Sequence, residues 1–205
     1  MKTIDAVLFD VDGVLALPPR LFSEIYSKEY GVDLEKLTPF YHSTDFKNAL
    51  VGKADLKQLI IDHADKWQWH KDPQQLLDLW FAGEHVLNTE LLAIVERLRD
   101  LKIPLFLATN QEKYRAAYIQ ETMFPGLFDG AFVSSGIGYV KEQTEFWTQA
   151  TKQLADITGR QSMENVYFFD DTQSCVDAAA RAGIQATLFK TVQQVPEALG
   201  LDSAQ

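Results

Sequence analysis

Near the start of the chain an apolar run, Ala6-Val7-Leu8-Phe9, leads directly into Asp10-Val11-Asp12-Gly13. Three later apolar runs also end in groups that can do chemistry. Leu105-Phe106-Leu107-Ala108 is followed by Thr109-Asn110, and Ala131-Phe132-Val133 by Ser134-Ser135-Gly136 and then Lys141. Val166-Tyr167-Phe168-Phe169 is followed by Asp170-Asp171. Four run ends together supply four carboxylates, a lysine and a hydroxyl. No histidine or cysteine belongs to the set, which favours a hard, oxygen-loving cation over zinc; Mg²⁺ is the leading candidate. A metal beside a lysine makes an anion receptor, and phosphate is the usual anion. An aspartate held there can attack phosphorus and form an aspartyl-phosphate. Two carboxylates two residues apart can divide the work, one attacking and the other donating a proton to the leaving oxygen.

Each group alone has a plainer explanation. Asp before Gly is ordinary turn chemistry. Thr109 or Asn110 can cap the next helix, Asp170-Asp171 can cap a helix starting at 173, and a single lysine is usually solvated surface. The functional reading rests on the coincidence that all of them follow strand-like runs.

Those runs, with Ala186-Thr187-Leu188-Phe189, are short and continuous rather than alternating, as strands buried on both faces should be. Helical patterns lie between them. Thr89 is placed to cap a helix carrying Leu91, Leu92, Val95 and Leu98, and residues 111–121, 142–157, 173–182 and 192–199 follow suit. Gly159 and Gly183 stand where helices should stop. Alternating strands and helices predict an α/β, Rossmann-like parallel sheet sandwiched by helices, with ligands beyond the carboxyl ends of the strands. Residues 17–88 break the rhythm. They contain helix-like stretches around 20–30, 54–66 and 73–82, broken by Gly31, Pro39, Gly52 and Pro73, and no strand. An all-helical lobe inserted after the first strand is expected over 17–87, with 1–16 and 88–205 forming the core.

The bulk numbers bound the function. A chain of 205 residues, 46% hydrophobic, suffices for one core and a small second lobe. The net charge of −10, from 19 basic and 29 acidic residues, disfavours nucleic acid and anionic membranes as partners. The single cysteine, Cys175, excludes an internal disulfide and suits a reducing compartment. With no secretory leader pattern and no apolar run long enough to span a bilayer, a cytoplasmic protein is expected. The tail, 200–205, is expected to fray.

Asp10-Val11-Asp12-Gly13-Val14 resembles the first motif of the haloacid dehalogenase-like (HAD) hydrolase superfamily. Thr109-Asn110 resembles its second motif, Lys141 its third and Asp170-Asp171 its fourth, in the family's order along the whole chain. The resemblance implies Asp10 as nucleophile and Asp12 as general acid, then base. It implies that Thr109 and Lys141 hold the phosphoryl group, with Asn110 supporting it through its backbone. Mg²⁺ would lie between the Asp10 side chain, the Asp12 carbonyl and a fourth-motif aspartate. The family form there is Gly-Asp with Ala-Gly one helix later; counting back from Gly183 assigns the metal to Asp171 and leaves Asp170 supporting. Relatives with an Asp-Asp pair include sugar-phosphate phosphatases and the phosphatase domain of some epoxide hydrolases. The helical insert resembles the family's small α-helical cap, which closes over the site and chooses the substrate.

Two positions depart from the pattern. Glu142 follows Lys141 where many relatives have proline, and Leu17-Pro18 stands where many carry Asp-Ser. The resulting expectation is a Mg²⁺-dependent phosphatase acting on a small phosphomonoester, with phosphorylated sugars the leading class; the oligomeric state stays open. The alternatives are a sugar-phosphate mutase or phosphotransferase, a haloacid dehalogenase and a phosphate-binding module without turnover. Dehalogenase relatives lack the second aspartate, because a halide needs no proton, so Asp12 weighs against them.

Overall fold

The structure, a computed structural model, describes residues 2–201. Five strands form one sheet: β1 (Ala6–Phe9), β2 (Leu105–Thr109), β3 (Gly130–Val133), β4 (Val166–Asp170) and β5 (Gln185–Leu188). All neighbours are parallel, in the order β3-β2-β1-β4-β5. β1, β2 and β4 are buried on both faces, which is why their sequences are continuously apolar. The edge strands β3 and β5 are only partly buried. Side chains alternate between two cores. Val7, Phe9, Leu105, Leu107 and Phe169 enter one; Ala6, Leu8, Phe106, Ala108 and Phe168 enter the other.

Six helices follow β1: α1 (Phe22–Tyr30), α2 (Leu34–Tyr41), α3 (Thr44–Leu50), α4 (Leu56–Asp62), α5 (Ala64–Trp67) and α6 (Pro73–Gly83). They share a third core built on Phe22, Tyr26, Phe40, Trp67, Trp69 and Trp80. Three helix-like stretches were expected here; α2 and α3 are additional. Pro39 lies inside α2 rather than ending it. Glu35 and Pro39 are both exposed, so water can serve the carbonyl that proline leaves without an N–H, while burial of Leu37 and Phe40 holds the turn. α3 starts at Ser43, whose Oγ accepts from the Phe46 N–H at 3.1 Å. The chain leaves and re-enters the sheet region side by side: Leu17 N–H donates to the Val86 carbonyl at 2.8 Å and Asn88 N–H to the Leu15 carbonyl at 2.9 Å.

The remaining helices cover the sheet: α7 (Thr89–Asp100), α8 (Lys113–Tyr118) running into a π-turn at Ile119–Met123, α9 (Ser134–Ile137), α10 (Thr144–Thr158), α11 (Gln173–Arg181) and α12 (Gln194–Leu199). α7, the π-turn and α12 pack on one face, α10 and α11 on the other. Asn88, not Thr89, caps α7: its Oδ1 accepts from Leu91 N–H at 3.2 Å while its Nδ2 donates to the Val14 carbonyl at 2.9 Å. Asn88 does both because an amide side chain carries donor and acceptor, which threonine's shorter hydroxyl cannot spread over two elements. Gly159 ends α10 in the left-handed conformation, and Gly183 follows the end of α11. Residues 200 and 201 close α12, with Leu201 N–H donating to the Pro196 carbonyl at 2.9 Å; the expected fraying of 202–205 lies outside the described residues. Among the described residues no helix is long and apolar enough to cross a membrane.

Candidate active site

The parallel register brings the strand ends together. Phe9 pairs with Leu107 on one side and Phe169 on the other, so the residues that follow β1 emerge between those that end β2 and β4. Asp10 continues the ladder for one bond, its N–H donating to the Phe169 carbonyl at 2.9 Å. The chain then turns tightly: Leu15 and Ala16 N–H both donate to the Val11 carbonyl at 2.8 Å. Gly13 occupies this turn with φ +80, and a Cβ there would overlap the Asp171 carboxylate. Only glycine satisfies both the backbone angle and the close approach.

Lys141 is the centre of the site. Its side chain is 2% exposed, and its Nζ lies 2.7 Å from Asp10 Oδ1 and 2.6 Å from Asp170 Oδ2. The main chain around it is fixed on two sides: Asn110 Oδ1 accepts from Lys141 N–H at 2.8 Å, and the buried Trp147 indole donates to the Lys141 carbonyl at 2.7 Å. Burial pulls the ammonium down, but the two carboxylates outweigh it and its pKa lies above the usual lysine value. Burial pushes the Asp10 carboxyl up to about 7; Lys141 opposes the rise and Asp170 adds to it. Asp171 is also raised, by burial first and then by Asp170.

Asp170 is fully buried beneath the site. One oxygen takes the lysine and the other accepts from Thr172 N–H at 2.8 Å. The alternative of a side-chain cap on α11 is not realised: Thr172 occupies the cap position and makes no side-chain cap bond. Nor does Thr109 or Asn110 cap α8; that role belongs to Glu112, which accepts from the Tyr114 and Arg115 N–H groups.

Asp10, Asp12, Thr109, Asn110, Lys141 and Asp171 line one cavity of about 330 Å³. Every expected site residue except Asp170 therefore faces a common space, with Asp170 directly behind it. Ligand oxygens of Asp10, Asp170 and Asp171 lie within 4.8 Å of one another. Cys175 also borders the cavity, and burial raises its thiol above the usual value, which disfavours the reactive thiolate. No residue of 17–87 lines this cavity. Within the lobe, Trp67 and Trp69 are buried in its own core, and Lys53 borders a neighbouring cavity with Asp55, Lys113 and Ser135.

Sequence inspection missed four participants. Gln111 Nε2 donates to Asp12 Oδ2 at 2.6 Å, and Arg115 Nη2 lies 3.0 Å from Asp12 Oδ1. Glu84, at the end of α6, lies 3.5 Å from Arg115 Nη1. Glu142 accepts from Asn110 Nδ2 at 3.0 Å, so the residue standing in place of the usual proline joins the second and third motifs. The signal for Gln111 and Arg115 was their closeness to the second motif; the helix expected from 111 starts only at Lys113, because Glu112 takes the cap, so Gln111 reaches Asp12 from the loop and Arg115 from α8. Glu142 showed only as a departure from the family pattern and not as the partner of Asn110, and Glu84 left no signal a single sequence can carry.

The fold is shared with solved structures at low identity. A HAD family enzyme from Bacteroides thetaiotaomicron, solved in complex with magnesium and inorganic phosphate, superposes with a TM-score of 0.74 at 18% identity, over 92% of this chain and 95% of that one. A HAD-like family hydrolase from Porphyromonas gingivalis gives 0.71 at 19% identity over 90% of each chain. A 2-haloacid dehalogenase from Pseudomonas syringae pv. Tomato DC3000 gives 0.68 at 14% identity, over 97% of this chain and 99% of that one. No curated protein matches the chain significantly. The model of the haloacid dehalogenase-like hydrolases, however, matches residues 4–183, nearly the whole length, and the chain belongs to that family.

Proposed function

We propose that the protein is a Mg²⁺-dependent phosphatase that hydrolyses a small phosphomonoester through an aspartyl-phosphate on Asp10. The observation that carries this reading is the pairing of Asp10 with a buried lysine, at the floor of a cavity that also receives Asp12.

The residues fit a divalent cation. Asp10, Asp170 and Asp171 bring three carboxylates together against the single ammonium of Lys141, so the cluster is short of positive charge. Its donors are all oxygens, as a hard cation requires. Both Asp170 oxygens are already engaged, which leaves Asp10 and Asp171, with the Asp12 carbonyl, to hold the ion. When bound, Mg²⁺ would offset the charge of the phosphoryl oxygens and keep Asp10 ionised despite its burial.

The chain's own groups then divide the work. Lys141 and Thr109 hold the phosphoryl oxygens, and Asn110 fixes the Lys141 backbone. An Asp10 oxygen attacks phosphorus as the ester P–O bond breaks, and Asp12 gives its proton to the departing oxygen. Asp12 then takes a proton from the water that attacks the phosphoaspartate, which releases inorganic phosphate and returns Asp10 to its carboxylate. Asp12 separates this reading from dehalogenation. The magnesium and phosphate bound to the Bacteroides thetaiotaomicron enzyme support it by analogy. The lobe over 17–87 is the cap, and residues 1–16 and 88–205 are the core it serves. A small, polar cavity beside a cap suits a compact metabolite, with sugar phosphates the leading class and a cytoplasmic setting.

Turnover of p-nitrophenyl phosphate tests the reading: activity should vanish in EDTA and return with Mg²⁺. A phosphate-release screen across sugar phosphates, nucleotides, phosphoglycolate and phosphopeptides would then rank substrates. Full activity in chelator overturns the metal assignment, and phosphopeptides outrunning every small metabolite overturns the substrate class.

A further inference from the structure

Arg115 stands in an unusual place for an arginine. It is 3% exposed and lies in the short helix α8, so its charge must be met inside the protein. Its guanidinium bridges two parts of the molecule. On the sheet side, Nη2 lies 3.0 Å from Asp12 Oδ1. On the lobe side, Nη1 lies 3.5 Å from Glu84 Oε2, and the guanidinium carbon is 5.6 Å from the centre of the Phe81 ring. Nη1 is buried and makes no hydrogen bond, so Glu84 holds it by charge alone. Glu84 is itself fixed within the lobe: Phe22 N–H donates to one of its oxygens at 2.7 Å and the Trp80 indole to the other at 3.0 Å. Asp12, by contrast, is half exposed and sits on a turn, with Gln111 as its other donor.

We propose that Arg115 is a positioning residue for Asp12, and that it takes its own position from Glu84 and Phe81. Asp12 is thereby set for proton transfer only while the lobe is seated on the sheet region. A half-exposed carboxylate has many rotamers, and two donors of fixed origin leave it one. The chain of contacts runs Trp80 and Phe22 to Glu84, Glu84 to Arg115, and Arg115 to Asp12, with no member drawn from the phosphate-holding set. This inference rests on the phosphatase reading of the site.

The test compares kcat and kcat/KM for p-nitrophenyl phosphate and for an alkyl phosphate such as glycerol 2-phosphate, in wild type, Arg115→Ala, Arg115→Lys and Glu84→Gln. Forming the phosphoaspartate from p-nitrophenyl phosphate needs no leaving-group proton, so kcat/KM for that ester should stay near wild type in Arg115→Ala. Its kcat should fall, because Asp12 must still activate water, and KM should fall in parallel. For the alkyl ester, kcat/KM itself should drop by about 10²-fold, the usual worth of positioned acid catalysis. Guanidinium added to Arg115→Ala should restore part of the loss, and Glu84→Gln should show the same split in weaker form. If Arg115→Ala does not fold, Arg115→Lys and Glu84→Gln carry the comparison. Equal losses of kcat/KM for the two esters, or a Glu84→Gln enzyme identical to wild type, overturn the proposal. A wild-type protein that hydrolyses neither ester overturns the phosphatase reading itself, and this inference with it.

Discussion

Gly13 and Asp171 meet across the end of the sheet, so closely that a side chain on the first would displace the carboxylate of the second. Gly13 also holds φ +80, which an L side chain rarely adopts. Gly13→Ala should therefore move Asp171 and strain the turn that carries the Asp12 carbonyl, while every acid and base stays in the sequence. The Mg²⁺ concentration for half activation should rise by about 10–100-fold, as it does when a group supporting a metal ligand is lost. A Mg²⁺ titration of activity checks this, with unchanged Mg²⁺ demand as the contrary result.

Lys141 lies between two buried carboxylates and pairs with both. Replacing it with methionine keeps the stem volume but leaves Asp10 and Asp170 facing each other unneutralised. Breaking a buried pair this way costs about 3–5 kcal/mol. Urea unfolding of Lys141→Met in EDTA should show a loss of that size, and excess Mg²⁺ should recover part of it. A variant as stable as wild type would mean that the carboxylates find another counter-ion.

Asp10 gives a pH dependence of defined sign. Its carboxyl is raised from 3.8 to about 7 by burial, so between those values the folded protein holds a proton that the unfolded chain releases. Stability from this group is present at low pH and is lost as pH rises from about 4 through about 7. In EDTA, Asp10→Asn should thus be more stable than wild type at pH 8, and the difference should shrink toward pH 5. Melting curves of both proteins across that range provide the check; parallel curves would rule the effect out. The same variant should lose turnover and fail to bind fluoroberyllate.

The lobe is tied to the sheet region a second time. Asp55, before α4, lies 2.6 Å from Lys113 Nζ and accepts from the Tyr114 hydroxyl at 2.9 Å. The Lys113 bond, ahead of the opposing desolvation, lowers the Asp55 carboxyl from 3.8 to about 2. Its contribution is present above about pH 4 and is lost as pH falls through about 2. Because both partners are solvated, the effect should be small and salt-sensitive. Hydrogen exchange across residues 44–62 should quicken in Asp55→Asn at neutral pH and converge with wild type near pH 2.

Much of the sheet was legible because double-sided burial leaves a simple mark: Ala6–Phe9 is apolar at every position, and the groups after it can only be loop or site. The lobe was less so. α2 and α3, of 8 and 7 residues, leave little room for a periodic pattern, and Pro39 reads as a break where tertiary burial of Leu37 and Phe40 keeps the helix. Asn88 and Thr89 are both good capping residues, and only the distant Val14 carbonyl decides between them. At the site, Lys141 was found because it follows the third apolar run, Ala131-Phe132-Val133, on the same side of the sheet as the aspartates. Glu84 was not, because its partner Arg115 lies beyond α7 and β2 and no local rule links them.

β1 is the middle strand of the sheet, yet both strands that flank it lie far downstream: Val7 is in register with Leu105 and with Tyr167. The helices of residues 22–83, by contrast, meet one another locally. Synthesis from the N-terminus thus presents a four-residue apolar strand with both edges bare, and completes an entire helical lobe before the first neighbour exists. High sequence separation of this kind slows folding, and an unpaired apolar edge invites association with other chains. Until Leu105–Thr109 is made, β1 has no strand to pair with and both its apolar edges stay a liability; once that segment is present, the sheet can assemble outward from its centre.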